Sequence, residues 1–186
     1  MMKKVFSSRQ ITDFTEISLS AINGLIHRDE NGQERPTDLL FYLDCKIHHF
    51  LVDEYQDTSY KQEELLHKLT AEWSDGDGKT LFIVGDPKQS IYRFRDAEVG
   101  LFIKIQKRGL GSLPLKTLSL ESNFRSQKKL VDWVNACFQK IFPKHNDPDL
   151  GAISYTKSSA VLPESSHPGV VYHPVPHQPN RQAIAE

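Results

Sequence analysis

Phe50-Leu51-Val52-Asp53-Glu54-Tyr55-Gln56-Asp57-Thr58 decides how the rest of this chain is read. A short apolar run stops abruptly at two adjacent carboxylates. A buried strand that ends in this way carries two negative charges to the rim of a sheet, where ligands of open α/β folds bind. One carboxylate can hold hydrated Mg²⁺ there while its neighbour orients or deprotonates a water, the division of labour that phosphoryl transfer requires. A solvated loop after a strand can carry the same two acids. The pair therefore takes its meaning from the rest of the sequence.

Working outward, Thr80-Leu81-Phe82-Ile83-Val84 is the most strand-like run, continuous and apolar as in a strand covered on both faces. It ends at Gly85-Asp86-Pro87. Residues 49–53 and 116–120 are predicted strands, the latter followed by Asn123-Phe124-Arg125-Ser126. Helical periodicity predicts a helix over 12–26, with Phe14, Ile17, Ala21, Ile22, Leu25 and Ile26 on one face and an Asp13/Glu16 pair resembling a capping box. Further helices are predicted over 37–47, 59–73, about 96–108, and after Ser126, where Leu130, Val131, Val134, Cys137, Phe138 and Ile141 form a stripe. Residues 27–36 and 74–79 read as loops, and 109–114 as a break fit for a domain boundary or hinge. Beyond Pro143, where prolines and serines gather, only 169–175 predicts a strand, so 143–186 reads as loosely structured or awaiting partners. Alternation of strand and helix at roughly 30-residue spacing predicts an α/β fold with a parallel sheet.

Composition sets the outer bounds. At 186 residues the chain is one domain or a piece of a larger protein, and a net charge of -1 means that any basic surface must come from local clustering. Cys45 and Cys137 lie far apart in apolar helical patterns and read as buried thiols of a reducing compartment. His48-His49 has no partner at metal-ligand spacing, which argues against zinc. Met1-Met2-Lys3-Lys4 is not followed by the apolar core of a signal peptide, and no stretch reaches membrane-spanning length. A cytoplasmic protein without a membrane partner is the expectation.

Three strand ends carry the candidate chemistry, and in a parallel sheet they would share one side. The first gives Asp53-Glu54 and Gln56-Asp57-Thr58. The second gives Asp86, Lys88, Gln89, Ser90, Ile91, Tyr92, Arg93, Phe94 and Arg95, with cations and rings interleaved as single-stranded nucleic acid requires. An amphipathic connector with core rings and solvated charges has the same composition. Gln89 can both donate and accept, which suits sensing a terminal phosphate. The third end sets Phe124 beside Arg125, a ring that can stack on a purine and a guanidinium that can stabilise a transferring phosphoryl group. Gly78-Lys79-Thr80 imitates the close of a phosphate-binding P-loop. The first glycine of that motif would have to stand where Trp73 is, and the tripeptide precedes a strand instead of following one. It reads as a turn.

These stretches resemble motifs of a known family. Leu51–Thr58 looks like motif II (Walker B) of UvrD/Rep-like superfamily-one DNA helicases, Val84–Arg95 is similar to motif III, and Ser122–Ser126 to motif IV. Gly85-Asp86-Pro87-Lys88-Gln89-Ser90-Ile91-Tyr92-Arg93-Phe94-Arg95 is closest in wording to the RecB/AddA type helicase subunit of exonuclease V-like helicase–nucleases. The resemblance covers roughly residues 10–142.

It implies a P-loop NTPase of parallel-sheet, RecA-like architecture that uses ATP and Mg²⁺ and acts on single-stranded or duplex-end DNA in repair and recombination. By the same resemblance, Asp53 would bind Mg²⁺ and Glu54 would activate water. Gln89 and Arg125 would contact the γ-phosphate, and Phe124 would stack on adenine. Tyr92 and Phe94 would meet DNA bases, with Arg95 linking the DNA and nucleotide sides. Many members have Trp where Phe94 stands, so a modest change in DNA contact is expected.

The family's P-loop, later motifs and nuclease cluster are not recognisable in these 186 residues. The expectation is therefore an incomplete first lobe over 1–110, the start of a second lobe over 111–142, and a loose or truncated continuation over 143–186. Such a piece would be inactive alone and would depend on the remainder of the helicase polypeptide or a partner nuclease subunit. It would also leave an apolar sheet edge open. A non-catalytic module that binds single-stranded nucleic acid, or regulates, is the alternative.

Overall fold

A computed structural model describes residues 12–95, 97–166 and 168–175 of the chain. The backbone packs as two compact units. One runs up to Leu118 and takes in Lys144–Ser154; the other comprises Ser119–Pro143 and the residues from Tyr155 onward.

The first unit opens with α1 (Phe14–Leu25), capped by Asp13, whose carboxylate accepts the Glu16 N–H at 2.7 Å. Ile22 and Leu25 of its predicted apolar face are buried, whereas Phe14 and Ile17 are exposed. Where the sequence predicts a loop over 27–36, the chain forms an antiparallel hairpin of β1 (Ile26–Arg28) and β2 (Glu34–Pro36). These three-residue strands are largely polar and show no alternation, so periodicity does not betray them. Turn chemistry closes them instead: Asp29 accepts the N–H groups of Asn31 and Gln33, and Gly32 takes φ +76. Those bonds, the one from Gln33 foremost, hold the Asp29 carboxyl below its ordinary range. Helix α2 (Asp38–Lys46) follows its Thr37 cap and has no buried residue. Cys45 is accordingly exposed, contrary to the expectation of a buried thiol.

Strands β3 (His49–Val52) and β4 (Thr80–Ile83) pair in parallel, His49 opposite Thr80 and Val52 opposite Ile83. Between them runs α3 (Tyr60–Leu69), started by a capping box in which Ser59 and Gln62 satisfy each other's backbone N–H. After β4 comes α4 (Val99–Arg108), with Leu101, Phe102, Ile103 and Ile105 buried. Phe50, Val52, Leu81 and Ile83 point to one side of the sheet and pack on a core of Tyr55, Leu66, Leu101, Phe102, Ile105 and Leu110. Their alternates face the other way: Leu51 is 72% exposed and Phe82 56%. The expectation that Thr80–Val84 is covered on both faces is thus corrected. The sequence is apolar on both faces, but among the described residues helices cover only one.

In the second unit β5 (Ser122–Gln127) pairs in parallel with β6 (Ser159–Leu162), and α5 (Lys128–Ile141) packs against both. No strand forms over the predicted 116–120 or 169–175. Leu118 and Leu120 alternate as strand residues do, yet both are exposed. A strand needs a ladder partner, and the partner here, β6, pairs with the more polar run that follows. Residues 155–162 are tied down rather than loose. Asn135 accepts from the Tyr155 hydroxyl and the Ser158 N–H and donates to the Ser158 carbonyl, while the Tyr155 ring joins Phe138 and Phe142. Cys137 in α5 is only half-buried, again short of the buried thiol expected. No helix among the described residues is long and apolar enough to cross a membrane.

Candidate functional site

Strand β3 delivers Asp53 and Glu54 to its carboxyl end, both exposed. Glu54 has φ 52 and ψ 40, the one non-glycine residue with positive φ among those described. Left-handed backbone costs an L-residue roughly 1–2 kcal/mol, so the surroundings must hold it there. Two groups do so. Asp53 Oδ1 accepts the Glu54 N–H at 2.8 Å, and the next residue, Tyr55, donates its N–H to the Val84 carbonyl at 3.0 Å. The Tyr55 ring is fully buried and its hydroxyl donates to Glu63 Oε1 at 3.1 Å. Burial first, and the Glu63 charge second, push the phenol far above its ordinary range, keeping it a neutral donor.

Gln56 is the next residue inward, 1% exposed. Its Oε1 accepts the Asp86 backbone N–H at 3.0 Å, and its Nε2 donates to Glu54 Oε2 at 2.5 Å. A backbone N–H can only donate, so this contact fixes the amide's orientation and turns the NH₂ toward the acids. Its backbone carbonyl also accepts from the Ser90 hydroxyl at 3.2 Å. Asp57 stands beside it, and its Oδ1 is buried with no hydrogen-bond partner.

The loop after β4 is brought against this junction. Asp86 caps a short 3₁₀ turn, Pro87–Gln89, accepting the Lys88 N–H at 3.0 Å, and its Oδ2 accepts from Gln89 Nε2 at 3.0 Å. Gln89 is exposed, within one hydrogen bond of Asp86. Farther on, Tyr92 and Phe94 sit with ring centroids 5.9 Å apart, and Phe94 is 77% exposed. The rings are therefore at the surface and not in the core. The Arg95 side chain, assigned above to the link between DNA and nucleotide, lies outside the described residues.

Asn123, Phe124 and Arg125 belong to the second unit and lie within β5 itself, not in a loop after a strand. Asn123 Oδ1 accepts the N–H groups of Arg125 and Ser126 at 3.0 and 2.9 Å, while Phe124 and Arg125 are exposed. The lysine of the P-loop look-alike is engaged elsewhere. Lys79 Nζ donates to Asp44 Oδ1 at 2.5 Å and lies 5.3 Å from the centre of the Trp73 ring.

No cluster of three or more metal-ligating side chains occurs among the described residues. A pair of exposed carboxylates at a strand end nevertheless suits Mg²⁺, which keeps several waters and takes one or two carboxylates beside substrate phosphates. Gln56 and Asp57 stand among the groups expected at this strand end, but nothing in their spacing announces the burial of Gln56 or its link to Asp86. The mark that could have shown the close packing is Gly85, placed at the end of an apolar strand where another group approaches closely. A Cβ there would lie 2.6 Å from Gln56 Oε1.

Residues 1–109 match the UvrD/REP helicase N-terminal domain. The chain belongs to the UvrD/REP helicase family. Among curated relatives of this UvrD/REP chain, the A-type subunit of the ATP-dependent helicase/nuclease of Bacillus cereus strain G9842 is 38% identical over 159 residues, and that of strain ATCC 10987 is 36% identical over 162. The corresponding protein of Bacillus anthracis is also 36% identical. These alignments take in 83% to 85% of the chain, yet the chain spans only 12% of each relative's length.

Proposed function

We propose that this chain is the motif II–IV portion of an ATP-dependent DNA helicase or translocase of the helicase–nuclease type, serving DNA repair and recombination in the cytoplasm. It would form part of one RecA-like lobe and the start of a second. The observation that carries the reading is the junction at β3: two exposed carboxylates, one held in left-handed backbone, hydrogen-bonded through a buried glutamine to the loop that bears Gln89. When bound, Mg²⁺ supplies charge neutralisation on the phosphates, with Asp53 as its ligand. Glu54 orients and deprotonates the attacking water, Gln89 and Arg125 read the terminal phosphate, and Phe124 stacks on adenine. Tyr92, Phe94 and Arg95 contact the DNA strand.

A P-loop is not recognisable in the 186 residues, so the activity requires a polypeptide that supplies one. Incubated with ATP, Mg²⁺ and single-stranded DNA, the chain alone is expected to show no turnover. Adding the P-loop-bearing remainder of the helicase polypeptide is expected to give DNA-stimulated hydrolysis that Glu54→Gln abolishes. Hydrolysis insensitive to Glu54→Gln, or none in the mixture, would overturn the proposal.

The exposed rings favour a second reading, a module that binds single-stranded nucleic acid without catalysis. Base stacking on one ring contributes about 1–3 kcal/mol, and phosphate contacts weaken with salt. Binding to a labelled oligonucleotide that falls with salt and with Phe94→Ala, in a protein inert in the mixture above, selects this reading. No binding at low salt rejects it.

A further inference from the structure

Glu54 and Gln89 do not touch in the hydrogen bonds described, yet a continuous path joins them. Glu54 Oε2 accepts from Gln56 Nε2, Gln56 Oε1 accepts from the Asp86 N–H, and Asp86 Oδ2 accepts from Gln89 Nε2. We propose that Gln56 is a positioning residue that couples the water-activating carboxylate to the phosphate-sensing loop; this rests on the reading of Glu54 and Gln89 as parts of an ATP site.

Four features support the role. Gln56 is the residue in this path that meets both sides with one rigid planar group, so a shift of the loop at Asp86 must turn the amide that Glu54 leans on. Burial leaves it little solvent to exchange with, and hydrogen bonds at low local dielectric are stronger and reinforce one another. The space is reserved for it. A Cβ on Gly85 would collide with Gln56 Oε1, so the glycine gives the carboxamide its passage to Asp86. Glu54, held in left-handed backbone, directs its carboxylate back toward Gln56 instead of away along the strand. Chemically the device sets where the base stands: the carboxylate accepts a proton from water, and the amide donor fixes one of its oxygens while that happens.

The first test needs no hydrolysis. In the chain itself, Glu54→Ala removes an exposed side chain and spares the core. The expected result, read by NMR hydrogen exchange, is faster exchange at the Asp86 N–H and altered exchange of the Gln89 carboxamide, two groups that Glu54 does not contact. Asp75→Ala removes an equal charge from an exposed loop of the same unit, off this path, and is expected to leave both unchanged. If Glu54→Ala leaves Asp86 and Gln89 unmoved, or Asp75→Ala moves them equally, the coupling is overturned.

The second test uses the P-loop-supplemented mixture. Gln56→Glu keeps the acceptor for Asp86 and sets an oxygen against Glu54. It is expected to lower kcat about tenfold to a hundredfold with KM for ATP changed less than about threefold, as for a displaced general base. Coupling with no wild-type turnover refutes the ATPase reading and leaves the link standing. Coupling with a kcat indifferent to Gln56→Glu overturns the positioning role.

Discussion

A methyl group added at Gly85 would meet Gln56 Oε1 at 2.6 Å, the Phe102 ring at 3.1 Å and the Tyr55 N at 3.2 Å. Two of these neighbours are buried side chains and the third is backbone, so none can swing aside cheaply. Gly85→Ala is expected to destabilise the fold by about 1–3 kcal/mol through overpacking, measured by urea denaturation. Val84→Ala next door, on the open face of the sheet, should cost less; the reverse ranking would contradict the packing described. At this scale Asp53 and Glu54 were legible, because an apolar run that stops at two acids is visible in one dimension. Gln56 was not. A glutamine becomes exceptional only when tertiary structure buries it, and no local pattern records that.

Among the elements, β3 and β4 could be read from their apolar runs and α3 and α4 from helical periodicity. The hairpin of β1 and β2 and the strand β6 could not, because their stability lies in turn chemistry and in the choice of partner. The loop after α3 offers a test of such side-chain control. Asp77 accepts the Ser74 and Lys79 N–H groups, both at 2.8 Å, and these bonds, Ser74 first, hold its carboxyl below the ordinary value of 3.8. A carboxyl depressed in the folded state favours the fold above its unfolded value, and that contribution fades as pH falls through the folded one. Protection factors of the Ser74 and Lys79 amides are therefore expected to be high at about pH 6 and to drop as pH goes below 3.8, with Asp77→Asn removing the dependence. Equal protection on both sides of that range would show that the loop is held by something else.

For the molecule as a whole, the apolar outer face of β3 and β4 is the property that governs handling. Leu51, Phe82 and Val84 form an exposed apolar patch on a sheet that has two strands among the described residues. Replacing Leu51 and Phe82 by Thr keeps strand propensity and removes the patch. The double variant is expected to stay monodisperse in light scattering at concentrations where the parent aggregates, with a stability change within about 1 kcal/mol. Unchanged aggregation would place the adhesive surface elsewhere. The uncovered face was not legible in the sequence, because a strand apolar on both sides does not say which helices are present to cover it.

The engagement of Trp73 has one more consequence. This indole is buried, stacked 5.3 Å from the Phe50 ring and hydrogen-bonded to Asp44, whereas Trp133 stands half-exposed on α5 of the other unit. The chain has two tryptophans, so each unit carries one fluorophore of its own, the first in an apolar setting and the second wetted. Intrinsic emission then becomes a two-channel record of unfolding: with Trp133→Phe the remaining signal reports the loss of the first unit alone.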